Sequence, residues 1–388
     1  MSELLTSRWS ETKEALLEGL QGTKKSVMGV TLENTKKYLQ ESATAGATSA
    51  GNVATLNRVI LPVIRRVMPT VIANELVGVQ PMTGPVGQIH TLRVRYADTS
   101  SNAGVTAGEE ALSPFKIAEG YSADSTGRAV STATLEGQAG KRMSIQILKQ
   151  TVEAKTRKLS ARWTFEAAQD AQAQQGIDIE AEVMAALAQE ITAEIDQEIL
   201  ASLLSLAGTA VETFDQNAVS GTATFVGDEH AALAVQINRV SNLIAQRTRR
   251  GAGNWAVVSP YALTILQSAT TSAFARTTEG TFEAPTNTKL VGTLNNAMKV
   301  YVNTYATDTT DILIGYKGSS ESDAAAFYCP YIPLMSSGVV LDPSTFEPVV
   351  SFMTRYGYVE LTNTASSLGN AADYLGKVAV TSANLRFA

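Results

Sequence analysis

The chain has 388 residues, of which 44% are hydrophobic and 18% charged, a composition typical of a folded protein with ample core. Its net charge of −6 argues against a protein that wraps nucleic acid, because phosphate binding relies on concentrated lysine and arginine. The one cysteine, Cys329, excludes an intramolecular disulfide and a cysteine-based zinc site.

The N-terminal segment, residues 1–41, has leucines and a tryptophan at near-helical spacing, with charges of both signs between them. This pattern predicts an amphipathic helix and lacks the apolar core of a signal peptide. It is either an ordinary N-terminal helix or a transient assembly segment that faces a scaffold. Residues 42–55 are small, polar and almost uncharged, which is typical of a linker. Apolar runs do not reach the roughly 20 residues that a membrane-spanning helix needs.

The segment 88–165 is predicted to form a long two-stranded arm. Residues 88–96 and 142–148 alternate apolar and polar side chains, as half-exposed strands do, and residues 152–165 interleave basic with apolar ones. Residues 97–127 are rich in serine, glycine, alanine and aspartate, and we expect a long surface loop there.

The clearest helix is predicted over residues 177–206, where aliphatic side chains recur every four positions. Its carboxylates have no cation among them: Asp178, Glu180, Glu182, Glu190, Glu194, Asp196 and Glu198. Their spread along the helix fits neither a glycosidase nor a metal site, which leaves a solvated helix face or an interface. In an interface, the acidic helix would pair with the basic arm of a neighbouring copy, where such charges set orientation and encounter rate. The candidate inter-subunit residues are Lys155, Arg157, Lys158, Arg162, Glu190, Glu194, Glu198, Arg247, Arg249 and Arg250.

After residue 206 the pattern alternates helices with short strands. A helix over 228–250 ends in three arginines followed by Gly251, a typical C-terminal stop. Ser259 and Pro260 are predicted to cap another helix that runs to residue 266. Strands are predicted at residues 255–258, 300–302, 312–314, 327–328, 346–361 and 374–387.

The search for catalytic chemistry yields no candidate residues. The two histidines, His90 and His230, do not lie in a sequence motif of a nucleophile and its base, and His90 is expected on a strand surface. The chain lacks the glycine-rich motifs that bind phosphates, and Gly251 and Gly253 follow a helix instead of opening one. We therefore expect no catalytic, cofactor-binding or metal-binding residues.

Four segments, taken in their order along the chain, carry a resemblance to a known family. They are residues 76–96, residues 158–170 with 176–178, residues 248–260, and residues 326–333 with 342–348 and 354–357. In the fourth, aromatic residues alternate with prolines and β-formers, which favours short rigid strands between fixed turns. The ordered set resembles the major capsid protein of T-even-like tailed bacteriophages.

This resemblance implies an α+β chain with the Hong Kong 97 type of capsid fold. We expect an axial domain, a peripheral domain organised on a long spine helix, an extended loop and an N-terminal arm. The implied divisions are 1–41 as a scaffold-like segment removed at maturation, 42–87 as the arm, 88–165 as the extended loop with a small or vestigial insertion, 166–215 as the peripheral domain, 216–345 as the axial domain and 346–388 as the return to the peripheral domain.

The resemblance further implies a structural virion protein and not an enzyme. Its hexamers would build an icosahedral head around the DNA genome in the host bacterial cytoplasm. It would need no cofactor, bind no specific nucleic acid sequence and insert in no membrane. Implied partners are other copies of the chain, a vertex protein, a scaffold, a maturation protease, a portal and a decoration protein.

In the family that this chain resembles, a maturation protease cuts after the glutamate of a Leu/Ile-x-Glu motif. The bond between Glu41 and Ser42 is the candidate, because the linker that follows offers a protease an unfolded site, although Glu18 and Glu119 also match. Three alternatives to a hexamer-forming subunit stay open at this point: a pentameric vertex paralogue, an encapsulin-like compartment and, from a different class, a hydrolase.

Overall fold

A computed structural model describes residues 9, 13–14, 17, 20, 22–44, 72–101, 103–109, 111, 120–122, 129–136, 140–175, 178–216, 226–248, 250–269, 274–276, 289–295, 297–306, 311–319, 323–345, 347–361 and 371–381. Residues 56–69, which are rich in aliphatic side chains, and most of the predicted linker lie outside these residues. The described helices are α1 Gly22–Thr44, α2 Ala73–Leu76, α3 Thr132–Leu135, α4 Phe165–Gln175, α5 Ile179–Leu206, α6 Val226–Thr248 and α7 Pro260–Ser268, with a 3-10 helix at Ala371–Tyr374.

The described strands confirm an α+β class. They are β1 Gly78–Val79, β2 Val86–Tyr96, β3 Met143–Glu153, β4 Lys155–Arg162, β5 Glu212–Phe214, β6 Trp255–Val258, β7 Phe274–Arg276, β8 Lys289–Leu294, β9 Met298–Val302, β10 Ile312–Gly315, β11 Ala326–Ser336, β12 Val340–Leu341, β13 Pro348–Glu360 and β14 Leu375–Val380. The chain divides into two compact units, one made of Met1–Gly87, Val152–Ala201 and Phe327–Val359, and the other of Gln88–Thr151, Ser202–Ala326 and Glu360–Ala388.

In the first unit, a sheet in the order β1-β11-β13-β12, with β4 also paired to β13, gathers strands from distant parts of the chain. β1 runs parallel to β11, so that Gly78 lies opposite Phe327. β4 runs antiparallel to β13 from the Arg162–Val349 pair to the Lys155–Tyr356 pair. β11 contains the Tyr–Cys–Pro–Tyr run of the sequence and is buried along most of its length.

The long helix α5 matches its prediction almost residue for residue. Its 28 residues correspond to a length of ~42 Å. Within the first unit, Leu187, Ile191, Ile195 and Ile199 are buried at four-residue intervals, as the aliphatic column predicts.

The pairing of β4 corrects the sequence interpretation of the arm. A sheet of two strands does form, but its members are β2 and β3, whereas β4 pairs with β13. Both β3 and β4 alternate apolar and polar residues, and this pattern defines the two faces of a strand without defining its partner. The predicted domain bounds at residues 165, 215 and 345 stay predictions.

The second unit contains a mixed sheet in the order β5-β14-β10-β6-β9-β8-β7. Helices α6 and α7 cover it, and their buried side chains form one apolar cluster with those of the strands. The cap of α7 is as predicted, because Ser259 Oγ accepts a hydrogen bond of 3.2 Å from the Ala262 N–H. Gly315 is required by packing, since an added Cβ would lie 2.1 Å from Cζ2 of Trp255.

Candidate interaction surfaces

The basic strand β4 and the acidic helix α5 meet within one chain. Arg157 of β4 donates from Nη1 to Glu194 Oε2 at 2.6 Å and from Nη2 to Glu198 Oε2 at 2.5 Å. Its Nε donates to the Tyr356 hydroxyl at 2.6 Å, and that hydroxyl donates to Glu198. The guanidinium is therefore held on three sides by groups from β13 and α5.

The electrostatics of Arg157, Glu198 and Tyr356 favour the charged forms of Arg157 and Glu198. Burial by itself would lower the pKa of Arg157, but the hydrogen bonds with Glu198 and Tyr356 outweigh it and raise that pKa. For Glu198, burial raises the pKa, and the hydrogen bonds from Tyr356 and Arg157 outweigh that effect and lower it. Burial and the hydrogen bond to Glu198 both raise the pKa of the Tyr356 hydroxyl. The arrangement fastens β4 and β13 to α5.

This geometry changes the interpretation of three predicted inter-subunit residues. Arg157, Glu194 and Glu198 have the complementary charges that the sequence indicates, but the structure pairs them inside one subunit. Of the other candidates on these elements, Lys155, Lys158, Arg162 and Glu190 are exposed. Arg162 lies 3.8 Å from Glu347, a loose contact of the kind that adds little stability.

Asp196 corrects the prediction that the carboxylates of α5 share one solvated face. Its side chain is 2% exposed, and Oδ1 accepts a 2.8 Å hydrogen bond from the backbone N–H of Ile72. Burial raises its pKa to about 7, and the hydrogen bond from Ile72 opposes that shift. The aliphatic spacing in the sequence could have indicated this burial, since position 196 lies three residues before Ile199 and so near the same face of the helix.

The structure describes two of the three arginines predicted at the end of α6, Arg247 and Arg250. Arg250 Nη1 contacts Asp323 Oδ1 at 2.7 Å, and the Tyr316 hydroxyl donates to the carbonyl of Arg250 at 3.4 Å. Arg247 lies half-buried in the last turn of α6, and Arg249 is outside the described residues. Of the two arginines that the structure describes here, Arg250 is the more exposed and can contact another molecule.

Strand β3 presents an apolar stripe that the sequence did not single out. Met143, Ile145 and Ile147 point to the same face by their period of two, and 53%, 67% and 66% of these residues are exposed. The alternation of apolar and polar residues predicts an apolar face on this strand, but it does not predict whether that face is buried or exposed. Three large apolar side chains in a row on one exposed face are typical of an interaction surface.

The connection between β2 and β3 carries a small core of its own. Tyr96, Val105, Ala111 and Tyr121 form a buried cluster. The Tyr121 hydroxyl accepts a hydrogen bond from the Asp98 N–H and donates to the Arg142 carbonyl at 2.6 Å. The described part of the predicted surface loop is thus folded, and the small insertion stays a prediction.

The candidate cleavage bond lies in a helix. Both Glu41 and Ser42 belong to the last turn of α1, which ends at Thr44. The predicted linker begins at Ser42, two residues before the last residue of the helix. A protease therefore has to unwind the end of α1 to reach this bond, and the cleavage itself stays a prediction.

The two histidines occupy contrasting positions. His90 is exposed on β2, as expected, whereas His230 is 1% exposed and its Nδ1 lies 2.5 Å from Ser268 Oγ. Ser268 Oγ also lies 3.1 Å from the Ile265 carbonyl, and the direction of its contact with His230 depends on the tautomer of the imidazole.

Two other features, a metal site and a membrane-spanning helix, are not found in the described ranges. Side chains of His, Cys, Asp and Glu do not gather in threes around any point in those ranges where a metal ion would fit. Among the described helices, none combines the length and the apolarity that crossing a membrane requires.

Comparison with known proteins agrees with the resemblance in the sequence. Residues 53–380 match the family described as Major capsid protein Gp23. The major capsid protein of Vibrio phage KVP40 is 30% identical, over 84% of this chain and 81% of that protein. That of Enterobacteria phage T4 is 28% identical, over 82% of this chain and 78% of that protein. That of Serratia phage KSP90 is 29% identical, over 92% of this chain and 90% of that protein.

A solved structure from Microbacterium phage Oxtober96 superposes with a TM-score of 0.48 at 11% identity, covering 80% of this chain and 90% of that one. The family match covers well over half of the chain, and the KVP40 relative is aligned over most of both proteins. On this evidence the chain belongs to the family of Gp23 major capsid proteins of bacteriophages.

Proposed function

We propose that this protein assembles as hexamers into the icosahedral head shell of a tailed bacteriophage and so encloses double-stranded DNA. The observation that carries the proposal is the family match over residues 53–380. The exposed stripe Met143, Ile145 and Ile147 supports it, because an apolar surface of this kind is suited to contact with another copy. Closed symmetry then turns many modest contacts into a stable shell.

The charge of the chain suits such a container. Because the net charge of the chain is −6, its surface attracts phosphate only weakly, and we expect it not to bind the packaged DNA tightly. The exposed Lys155, Lys158, Arg162 and Glu190 are the charged side chains that we expect at contacts between copies. Assembly takes place in the bacterial cytoplasm with a scaffold, a vertex protein and a portal, and a decoration protein completes the surface.

Maturation is the second part of the proposal. A protease removes residues 1–41 by cutting between Glu41 and Ser42, where the family resemblance and the change in composition coincide. Intact-mass measurement of the protein from mature particles tests this step. A chain that begins at Ser42 is the expected result, and one that still begins at Met1 would refute it.

Assembly is tested with a matched pair of substitutions on β3. Ile147→Asp places a charge in the apolar stripe, whereas Ser144→Asp places the same charge on an exposed residue of the opposite face. We expect tubes, sheets or closed heads from the wild type and from Ser144→Asp by negative-stain electron microscopy. Ile147→Asp is expected to stay as small soluble species with an unchanged circular dichroism spectrum. If Ile147→Asp assembles as readily as Ser144→Asp, the stripe is not an assembly contact.

A further inference from the structure

Helix α1 lies outside the family match, which begins at residue 53, and yet it supplies buried side chains to the first unit. Its buried residues are Val27, Met28, Thr31, Leu32 and Asn34, none of them more than 7% exposed. They recur at intervals of three and four residues and so share one face of the helix. The helix is therefore packed along this face from residue 27 to residue 34.

Asn34 fixes the position of this face. Its carboxamide Nδ2 donates both protons, one to the Met82 carbonyl at 2.8 Å and the other to the Tyr331 carbonyl at 2.9 Å. These carbonyls lie where the pairing of β1 with β11 continues, since the Met82 N–H donates to the Pro330 carbonyl at 3.0 Å. The amide thus joins α1 to two chain segments that are themselves hydrogen-bonded to each other.

The chemistry of these contacts is specific to an amide. Backbone carbonyls only accept, so aspartate at position 34 would place a carboxylate against two acceptors, and leucine would leave them without this donor. A second polar contact lies one turn before the buried face, where Lys24 Nζ contacts Glu75 Oε1 of α2 at 2.7 Å. Both partners are about one-third exposed, so this ion pair orients the helix more than it stabilises it.

We propose that α1 is a latch, held in cis on the first unit by Asn34 and by the apolar face around it. The surface that it covers accepts an amphipathic helix which presents a carboxamide to the Met82 and Tyr331 carbonyls. Asn34 precedes the candidate cleavage bond by seven residues (34 to 41), so every contact described here lies on the N-terminal side of that bond.

The latch has a consequence for maturation that rests on the cleavage proposed above. Cutting after Glu41 severs the chain but removes none of the contacts of residues 24–34. The segment therefore stays bound after hydrolysis, and its departure is a separate, slower step. That departure uncovers the Met82 and Tyr331 carbonyls together with the apolar surface beneath the helix.

Hydrogen exchange followed by mass spectrometry tests the latch in the uncut, full-length chain. Loss of two buried hydrogen bonds by Asn34→Ala is expected to speed amide exchange in α1 by ~10-fold or more. Lys25→Ala, at an exposed position of the same helix, is the control and is expected to leave exchange unchanged. Unaltered exchange in the strands of the second unit shows that the variant is folded. Equal exchange in α1 of Asn34→Ala and wild type would overturn the proposal.

A second experiment tests retention after cleavage. A recognition sequence for a site-specific protease is inserted after Glu41, the chain is cut, and the products are separated by gel filtration and weighed by mass spectrometry. The latch predicts that fragment 1–41 co-elutes with the wild-type remainder and is lost from Asn34→Ala. Immediate loss of the wild-type fragment would refute retention, and dimers of the uncut chain with exchanged helices would refute binding in cis. Neither measurement depends on shell formation, so failure of the latch and failure of capsid assembly are distinguishable.

Discussion

The contact between Arg157 and α5 gives the sharpest test of how the first unit is held together. Arg157→Met removes the guanidinium and keeps an unbranched apolar side chain about as long as the aliphatic part of arginine. Three hydrogen bonds are lost, to Glu194, Glu198 and Tyr356. The two glutamates, four residues apart on α5, are then left without the cation between them.

The size of the effect follows from the exposure of the partners. The side chains of Arg157, Glu194 and Glu198 are 32%, 42% and 41% exposed, so each ion pair is screened and contributes about 0.5–1 kcal/mol. The hydrogen bond to Tyr356 adds about 1 kcal/mol. Repulsion between glutamates at i and i+4 adds about 0.3 kcal/mol. The free energy of unfolding is therefore expected to fall by about 2–3 kcal/mol.

The assay is urea unfolding of the unassembled chain, read by hydrogen exchange of peptides from β4, β13 and α5. Lys158→Met is the matched control, since Lys158 is exposed on the same strand, and we expect it to change stability by less than about 0.5 kcal/mol. A double-mutant cycle between Arg157→Met and Glu198→Gln isolates the pairwise coupling. The reasoning is wrong if Arg157→Met matches Lys158→Met, or if the coupling energy is zero.

Three further predictions concern other parts of the molecule. Burial raises the pKa of Asp196 to about 7 in the folded chain, whereas an aspartate in the unfolded chain has a pKa of about 3.9. Between pH 4 and pH 7 the folded state therefore keeps a proton that the unfolded state has released. The free energy of unfolding should thus fall by up to about 4 kcal/mol as pH rises from 4 to 7, and Asp196→Asn should abolish this slope in urea unfolding at a series of pH values. Gly315→Ala should cost about 3 kcal/mol and shift Trp255 fluorescence, because the new Cβ would overlap the indole, whereas Gly140→Ala, with open space around it, should have no effect in the same measurement. Ser259→Ala removes the cap of α7 and should lower the free energy of unfolding by about 1 kcal/mol; Ser259→Asp, which can still accept the Ala262 N–H, should restore most of it.

The periodic elements of this protein were predictable from the sequence. Aliphatic residues every four positions specified α5, and serine, proline and a final glycine marked the ends of α7 and α6. The short strands β6, β9 and β10 were predicted within two residues of their observed ends. These elements form where local pattern and tertiary burial agree, since each has an apolar face of the correct period. The short helix α4 and the strands β5, β7 and β8 were not predicted, because their apolar patterns are brief or weak.

The resemblance to the family could also be seen in the sequence, since the four ordered segments need only chain order and residue identity. Residue patterns could not show which strands pair or which charged side chains meet. Alternation in β3 and β4 defined two faces for each strand, but only the folded chain decided that β4 pairs with β13 and that the stripe of β3 stays exposed. Charge showed that Arg157 complements Glu194 and Glu198, and the tertiary structure placed them in one subunit. Periodicity and charge are properties of neighbours along the chain, whereas pairing and burial depend on residues more than a hundred positions away, as between Asp196 and Ile72.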